Sequence, residues 1–409
     1  MLCSLLPKFG GNLDRMDIFS KFKDFKVARQ LEEAGVYPYF KVIQNAEGGT
    51  VYIDGKRKVM AGSNNYLGLT HHPKVRSAAK DAIEKYGTGC SGSRFLNGTI
   101  DLHIELEKRL AHFMGKEAAL VYSTGFQTNL GTISCLTDEN DLIFSDEENH
   151  ASIIEGTRLA EGETIVFKHN DMKDLEAKLK EHQDVKGKIV ITDGVYSMTG
   201  DIAPLDQIVK ISKKYNARIM LDDAHGIGVL GKNGKGTADH FNVTNDIDII
   251  MGTFSKSFAS LGGFIVATEE VIHYIKHKSR AFIFSAAMPP ASLATVLSVL
   301  DILEESDEHV QRLWKITHKM QKGFQSMGYD TSPSKTPIIP INIGDEARTF
   351  FFAKAIYDAG VFTNPVVAPG VPPGQGIIRT SYMASHTDQE LNLILDTFHT
   401  IGKMCEMIK

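Results

Sequence analysis

Ala217-Arg218-Ile219-Met220-Leu221-Asp222-Asp223-Ala224-His225-Gly226 runs an apolar strand into a carboxylate and sets a histidine three residues beyond it. A strand this apolar is buried on both faces, as in a parallel sheet covered by helices. Working outward, similar short apolar runs recur at residues 118–122, 142–144, 164–167, 188–192, 218–222, 247–251 and 264–266, separated by amphipathic helical stretches. This β-α alternation predicts an α/β fold with a mostly parallel seven-stranded sheet, helices on both faces, and ligands at the carboxyl ends of the strands.

The chemistry-bearing residues fall at those ends. In Gly252-Thr253-Phe254-Ser255-Lys256-Ser257-Phe258, followed by Gly262-Gly263, small hydroxylated neighbours surround a lysine. That pattern suits an amine holding pyridoxal phosphate (PLP) as an imine, with Thr253 and Ser255 offering hydroxyls to the phosphate ester. Asp222 is then the candidate counter-ion that keeps the pyridine nitrogen protonated. His150, in Asp146-Glu147-Glu148-Asn149-His150-Ala151-Ser152, could stack on the ring, and Tyr122-Ser123-Thr124-Gly125-Phe126-Gln127-Thr128-Asn129 opens a helix whose first amides could cradle a phosphate. Each signal has an ordinary reading as well. A lysine on a serine-rich turn is usually solvated, Asp222-Asp223 could be a cap or turn, and His150 could bond to backbone. What favours the functional reading is their order along the chain: cradle, stacker, ring-nitrogen acid, lysine.

With these residues in view, the chain resembles the α-oxoamine synthases, a family of fold-type I PLP-dependent transferases, from about Phe22 to the C-terminus. Tyr86-Gly87-Thr88-Gly89-Cys90-Ser91-Gly92-Ser93-Arg94-Phe95-Leu96-Asn97-Gly98-Thr99 and Met251-Gly252-Thr253-Phe254-Ser255-Lys256-Ser257 carry the likeness. Gly360-Val361-Phe362-Thr363-Asn364-Pro365-Val366-Val367 favours the homodimeric bacterial members that join L-serine to a long-chain acyl-CoA. The resemblance implies a decarboxylating condensation of a small amino acid with an acyl-CoA at an active site on the subunit interface. It makes Lys256 the imine lysine, Asp222 the partner of the ring nitrogen, and His225 a contact to the ring hydroxyl. His150 would stack on the ring and later meet the substrate carboxylate. Gly125, Phe126, Thr253 and Ser255 fall where the family binds phosphate, and Ser285 would reach the neighbouring subunit's phosphate. Arg379, in Ile377-Ile378-Arg379-Thr380-Ser381, matches the arginine that takes the amino-acid carboxylate, although an arginine in a C-terminal strand is otherwise more often a surface ion pair. Asn65 is a further substrate-binding candidate. Phe126 stands where relatives often carry an aromatic hydroxyl, so any bond there uses its backbone amide; Asp223 is often glutamate.

Composition agrees with an enzyme of this kind. The chain has 409 residues, 42% hydrophobic, with 45 basic and 50 acidic side chains for a formal charge of −5. Nothing in that balance points to nucleic acid. No apolar run approaches the roughly 20 residues that cross a bilayer, and the patch at residues 2–6 is too short for a secretory signal, so a cytoplasmic enzyme is expected. A membrane-partitioning substrate leaves room for peripheral membrane contact. Residues before Met16 read as foreign to the rest of the chain, and Met16 is an alternative start. Cys3, Cys90, Cys135 and Cys405 show no disulfide or zinc spacing, and His71-His72 before Pro73 reads as a turn and not a metal site.

Three segments are expected: residues 1–60 as a helix (22–34) and small hairpin (41–59), 61–290 as a large PLP-binding domain, and 291–409 as a smaller α+β domain. A helix at 290–306 leads into the last, where 338–343 and 376–381 read as strands. Among rival readings, condensation of alanine with pimeloyl-CoA would use the same active-site residues. A longer saturated acyl chain wants an apolar channel, whereas pimeloyl wants a polar or cationic end. The family's ligase for 2-amino-3-ketobutyrate is a further alternative. A silent subunit is disfavoured by Lys256, Asp222 and His150, and an aminotransferase by the 92–98 segment.

Overall fold

The computed structural model describes residues 17–409. The 2–6 patch, Cys3 and the alternative start at Met16 lie outside the described residues.

Strands β1 (Asn45–Glu47), β2 (Thr50–Ile53) and β3 (Lys56–Met60) form an antiparallel meander. The expected hairpin gains a third strand because two tight turns occur in succession. Gly48, Asp54 and Gly55 all have positive φ, at 55°, 49° and 68°, the backbone that two-residue hairpin turns demand. The helical stretch expected at 22–34 is two short helices, Ser20–Lys23 and Val27–Glu33.

The large sheet contains β4 (Ala118–Tyr122), β5 (Leu142–Asp146), β6 (Glu163–Phe167), β7 (Lys188–Asp193), β8 (Arg218–Asp222), β9 (Ile249–Thr253) and β10 (Gly263–Ala267). Its spatial order is β4-β10-β9-β8-β7-β5-β6. Only β10 runs against its neighbours, so the sheet is mostly parallel. Side chains alternate across it into two buried layers. Val121, Phe144, Leu221 and Phe264 enter the core on one face, and Leu120, Ile143, Met220 and Ile265 that on the other. Burying both faces is what makes these strands continuously apolar.

The C-terminal part carries β11 (Ile338–Gly344), β12 (Val361–Phe362), β13 (Asn364–Val366) and β14 (Gly376–Ser381). The second, third and last of these matter for position. β12 extends the N-terminal meander through parallel pairing with β3, so Val59 and Ala61 share a core with Ile339, Ile378 and Phe398. β13 lies beside β14 with Asn364 opposite Arg379, and the Asn364 amide also donates to Gly62 O at 2.7 Å. The helix Pro290–Glu305 starts with proline at its first turn, where no amide is needed, and leads from the large sheet into this part.

Candidate active site

The carboxyl ends of β4, β5, β7, β8 and β9 converge, and each delivers a polar residue. After β4, Thr124 caps the helix Gly125–Ile133 by accepting from Gln127 N at 3.2 Å. Gly125 and Phe126 are therefore the first two helical residues, whose amides have no preceding turn to bond. Gly125 faces Thr253 closely: a Cβ there would sit 2.6 Å from Thr253 Oγ1. Thr253 and Ser255 hydroxyls are 3.0 Å apart. This small concave set of amides and hydroxyls fits a phosphate ester.

Asp222 ends β8, buried. Asn129 Nδ2 donates to its Oδ2 at 2.6 Å and Ala224 N to its Oδ1 at 3.0 Å. Asn129, on the cradle helix, thus ties the phosphate end of the site to the counter-ion. Asp223 turns away and accepts from Thr237 N and Oγ1 at 2.7 and 2.5 Å. Burial pushes it up to about 7, and its hydrogen bonds to Thr237 make it a structural carboxyl.

Lys256 lies one residue past the cradle hydroxyl of Ser255. Burial lowers its pKa to about 8, against the opposing pull of Asp222 and Asp193. A lysine poised near neutrality has an appreciable fraction of free amine, as imine chemistry and proton abstraction both require.

His150 caps the helix Ala151–Leu159, its Nδ1 accepting from Ser152 N at 3.2 Å and contacting Ser152 Oγ at 2.7 Å. Its own amide donates to Asp193 Oδ2 at 2.7 Å. Burial lowers the imidazole pKa, with Asp222 opposing. His225 is buried, and burial together with Lys256 and Arg379 holds it well below its ordinary value. Tyr66 is pushed up to about 12 by burial, so it remains a phenol, and its hydroxyl lies 2.7 Å from His225 Nδ1.

Arg379 is buried in β14 and is no surface ion pair. Its Nε donates to Ser197 O at 2.5 Å and its Nη2 to Asn64 Oδ1 at 3.0 Å. Asn65, the position singled out from sequence, instead donates from Nδ2 to Thr70 Oγ1 at 2.9 Å; the asparagine that meets Arg379 is Asn64. Ser285 Oγ accepts from Gln127 Nε2 at 2.9 Å within the same chain, beside the cradle. Phe126 is half-exposed and edge-on to His150, ring centroids 6.5 Å apart.

Sequence reasoning missed Asp193, Asn129, Ser152, Tyr66 and Asn64. Asp193 is the strand partner of Asp222 and buried; burial and the adjoining Asp222 raise its pKa well above its ordinary value. It ends an apolar strand just as Asp222 does, so the same signal marks it once β7 is carried one residue further. The motif at 92–98 packs behind the cradle. Arg94 makes a two-pronged ion pair with Glu107, at 2.8 and 3.0 Å, and Gly92 O accepts from Ala287 N at 2.8 Å, next to Ser285. Among the described residues no cluster could hold a metal ion.

The chain belongs to the aminotransferase class I and II family, whose profile matches residues 56–398. Within that family its relatives include the serine palmitoyltransferase of Sphingobacterium spiritivorum, 48% identical over 95% of this chain and 97% of that protein. The 8-amino-7-oxononanoate synthase of Thermoanaerobacter pseudethanolicus is 43% identical over 93% of this chain and 96% of that one. A serine palmitoyltransferase structure solved with PLP superposes with a TM-score of 0.93 at 34% identity, covering 96% of this chain and all of that one.

Proposed function

We propose that this chain condenses L-serine with palmitoyl-CoA, releasing CoA and carbon dioxide, and so forms 3-ketodihydrosphingosine with PLP as cofactor. The observation that carries an amino-acid substrate is Arg379: a buried guanidinium whose two bonds go to neutral oxygens, with no side-chain carboxylate paired to it among the described residues. A buried cation in that state calls for an anion, and its fork matches a carboxylate. The choice of L-serine and a long acyl chain rests on kinship with the serine palmitoyltransferases.

PLP, when bound, supplies an electron sink for the carbanion at the amino acid's Cα. Gly125 and Phe126 amides with Thr253 and Ser255 hydroxyls would hold its phosphate, Asp222 would keep its ring nitrogen protonated, and His225 would face its ring hydroxyl. The Lys256 amine would hold the aldehyde end and, when free, would serve as the base for the Cα proton. Its low pKa suits both roles at neutral pH. His150 would lie over the ring and, with Arg379, orient the substrate carboxylate. Asn129 fixes Asp222, and Ser152 fixes the His150 ring.

The enzyme works as a cytoplasmic homodimer with the site at the subunit interface and Ser285 facing the partner's phosphate. No helix among the described residues is long and apolar enough to cross a membrane. Exposed Phe95, Leu96 and Phe284 beside the cradle are apolar surface that a second copy would cover.

The test is release of CoA by the PLP-loaded protein offered L-serine, L-alanine or glycine, each with palmitoyl-CoA or pimeloyl-CoA. Release with serine and palmitoyl-CoA supports the proposal. Turnover of alanine with pimeloyl-CoA alone would replace it with the synthase reading, and a protein that retains no PLP absorbance once free PLP is removed would overturn the cofactor assignment.

A further inference from the structure

One histidine outside the reacting centre joins three strand ends. His169 stands in the turn after β6. Its Nδ1 lies 3.0 Å from Asp146 Oδ1 at the end of β5, and its Nε2 lies 2.9 Å from Asp201 Oδ2 in the loop after β7. The Glu148 carboxylate is 3.7 Å from the same Nε2, and Tyr196 meets the ring edge-on with centroids 4.3 Å apart. Both carboxylates are buried and further bonded. Asp146 takes the amides of Glu148 and Asn170 at 2.9 and 3.0 Å, and Asp201 takes Thr199 Oγ1 at 2.5 Å and Asn170 Nδ2 at 2.7 Å.

The two segments joined in this way end at the two groups that face the amino-acid carboxylate. The turn that begins at Asp146 ends at His150. The loop that contains Asp201 also contains Ser197, whose carbonyl holds Arg379 Nε. That loop is braced from the far side too, Gly200 O accepting from Lys335 N at 3.0 Å and Thr336 Oγ1 at 2.9 Å. Burial opposes charge on His169, but the bonds to Asp146 and Asp201 overcome it and push it up to about 10, so both ring nitrogens donate at neutral pH.

We propose that His169 is a positioning residue for the amino-acid substrate, a double donor tying Asp146 to Asp201 and thereby setting the spacing between His150 and Arg379. It rests on the reading of those two residues as the carboxylate's partners. Asparagine or glutamine in its place keeps donors on a single nitrogen and loses the tie.

The experiment compares H169A, H169Q, D201N and the double variant H169A/D201N with the wild type as PLP-loaded enzymes, with Tm recorded for each; H169Q stands in if H169A does not fold. The expected result is a KM for L-serine raised about ten-fold or more, as small misplacements of substrate-holding groups produce. The KM for palmitoyl-CoA stays unchanged, and the double variant is no worse than the worse single one, since both remove one link. An unchanged L-serine KM with only a lower Tm and active fraction, or losses that multiply, overturns the proposal. Hydrogen exchange on the cofactor-free proteins decides the tie independently of substrate. Faster exchange in both 146–150 and 196–201 on losing His169 upholds it, and a change in one or neither overturns it. If the wild type releases no CoA from serine and palmitoyl-CoA, the substrate assignment falls, while the exchange result still stands on its own.

Discussion

Lys256 gives the sharpest quantitative expectation. An ordinary lysine, at 10.5, is about 0.03% neutral at pH 7, whereas one lowered to about 8 is about 9% neutral, a gain of roughly 300-fold in reactive amine. Burial lowers the value and Asp222 holds it up, while Arg379 depresses it. Asp222→Asn should therefore move the midpoint below 8, and Arg379→Ala should move it upward. The assay is competitive acetylation of the cofactor-free protein with limiting acetic anhydride across pH 6–11, with each lysine peptide followed by mass spectrometry. Exposed lysines such as Lys21 and Lys315 provide internal references. A Lys256 midpoint at or above 10, or one indifferent to Asp222→Asn, would refute the electrostatic account of the site.

Gly125→Ala places a methyl 2.6 Å from Thr253 Oγ1. Losing one charge-assisted phosphate bond is worth about 1.5–3 kcal/mol, so PLP affinity should fall about ten- to a hundred-fold; equilibrium titration that found affinity unchanged would move the cradle elsewhere. Arg94→Met strands the carboxylate of Glu107, a pair whose side chains are 4% and 12% exposed. Denaturant unfolding should show a loss of about 3–5 kcal/mol, the usual penalty for orphaning a buried charge, and a loss near zero would make the pair dispensable. His169 is raised in the fold from 6.5 to about 10, so its contribution to stability is full below pH 6.5 and fades as pH climbs through 10. The stability gap between wild type and H169N should close over that window; a gap that widened would contradict the sign.

The seven strands of the large sheet were legible because each is a local apolar run, buried on both faces in all but the edge strand β6, and only their ends moved. Residues 142–144 lengthen to reach Asp146, and 247–251 shift to Ile249–Thr253. The positions of Lys256, Asp222, His150 and Gly125 at or just past strand ends were legible for a related reason. A fold of this class presents its ligand groups where strands stop, and a strand's stop is written in neighbouring residues. Asp193 obeyed the same rule and was passed over by a single residue.

Sequence alone thus determined the class of fold, the cofactor chemistry and the residues at the strand ends. Tertiary structure decided what depends on partners far apart in the chain. β12 joins β3 across some 300 positions, Arg379 selects Asn64 over Asn65, and His169 finds Asp146 and Asp201. A hydrophobic period reports which face of an element is buried, because burial repeats with the element's own geometry. Which polar atoms then meet is set by register and packing between elements, and no local pattern carries that.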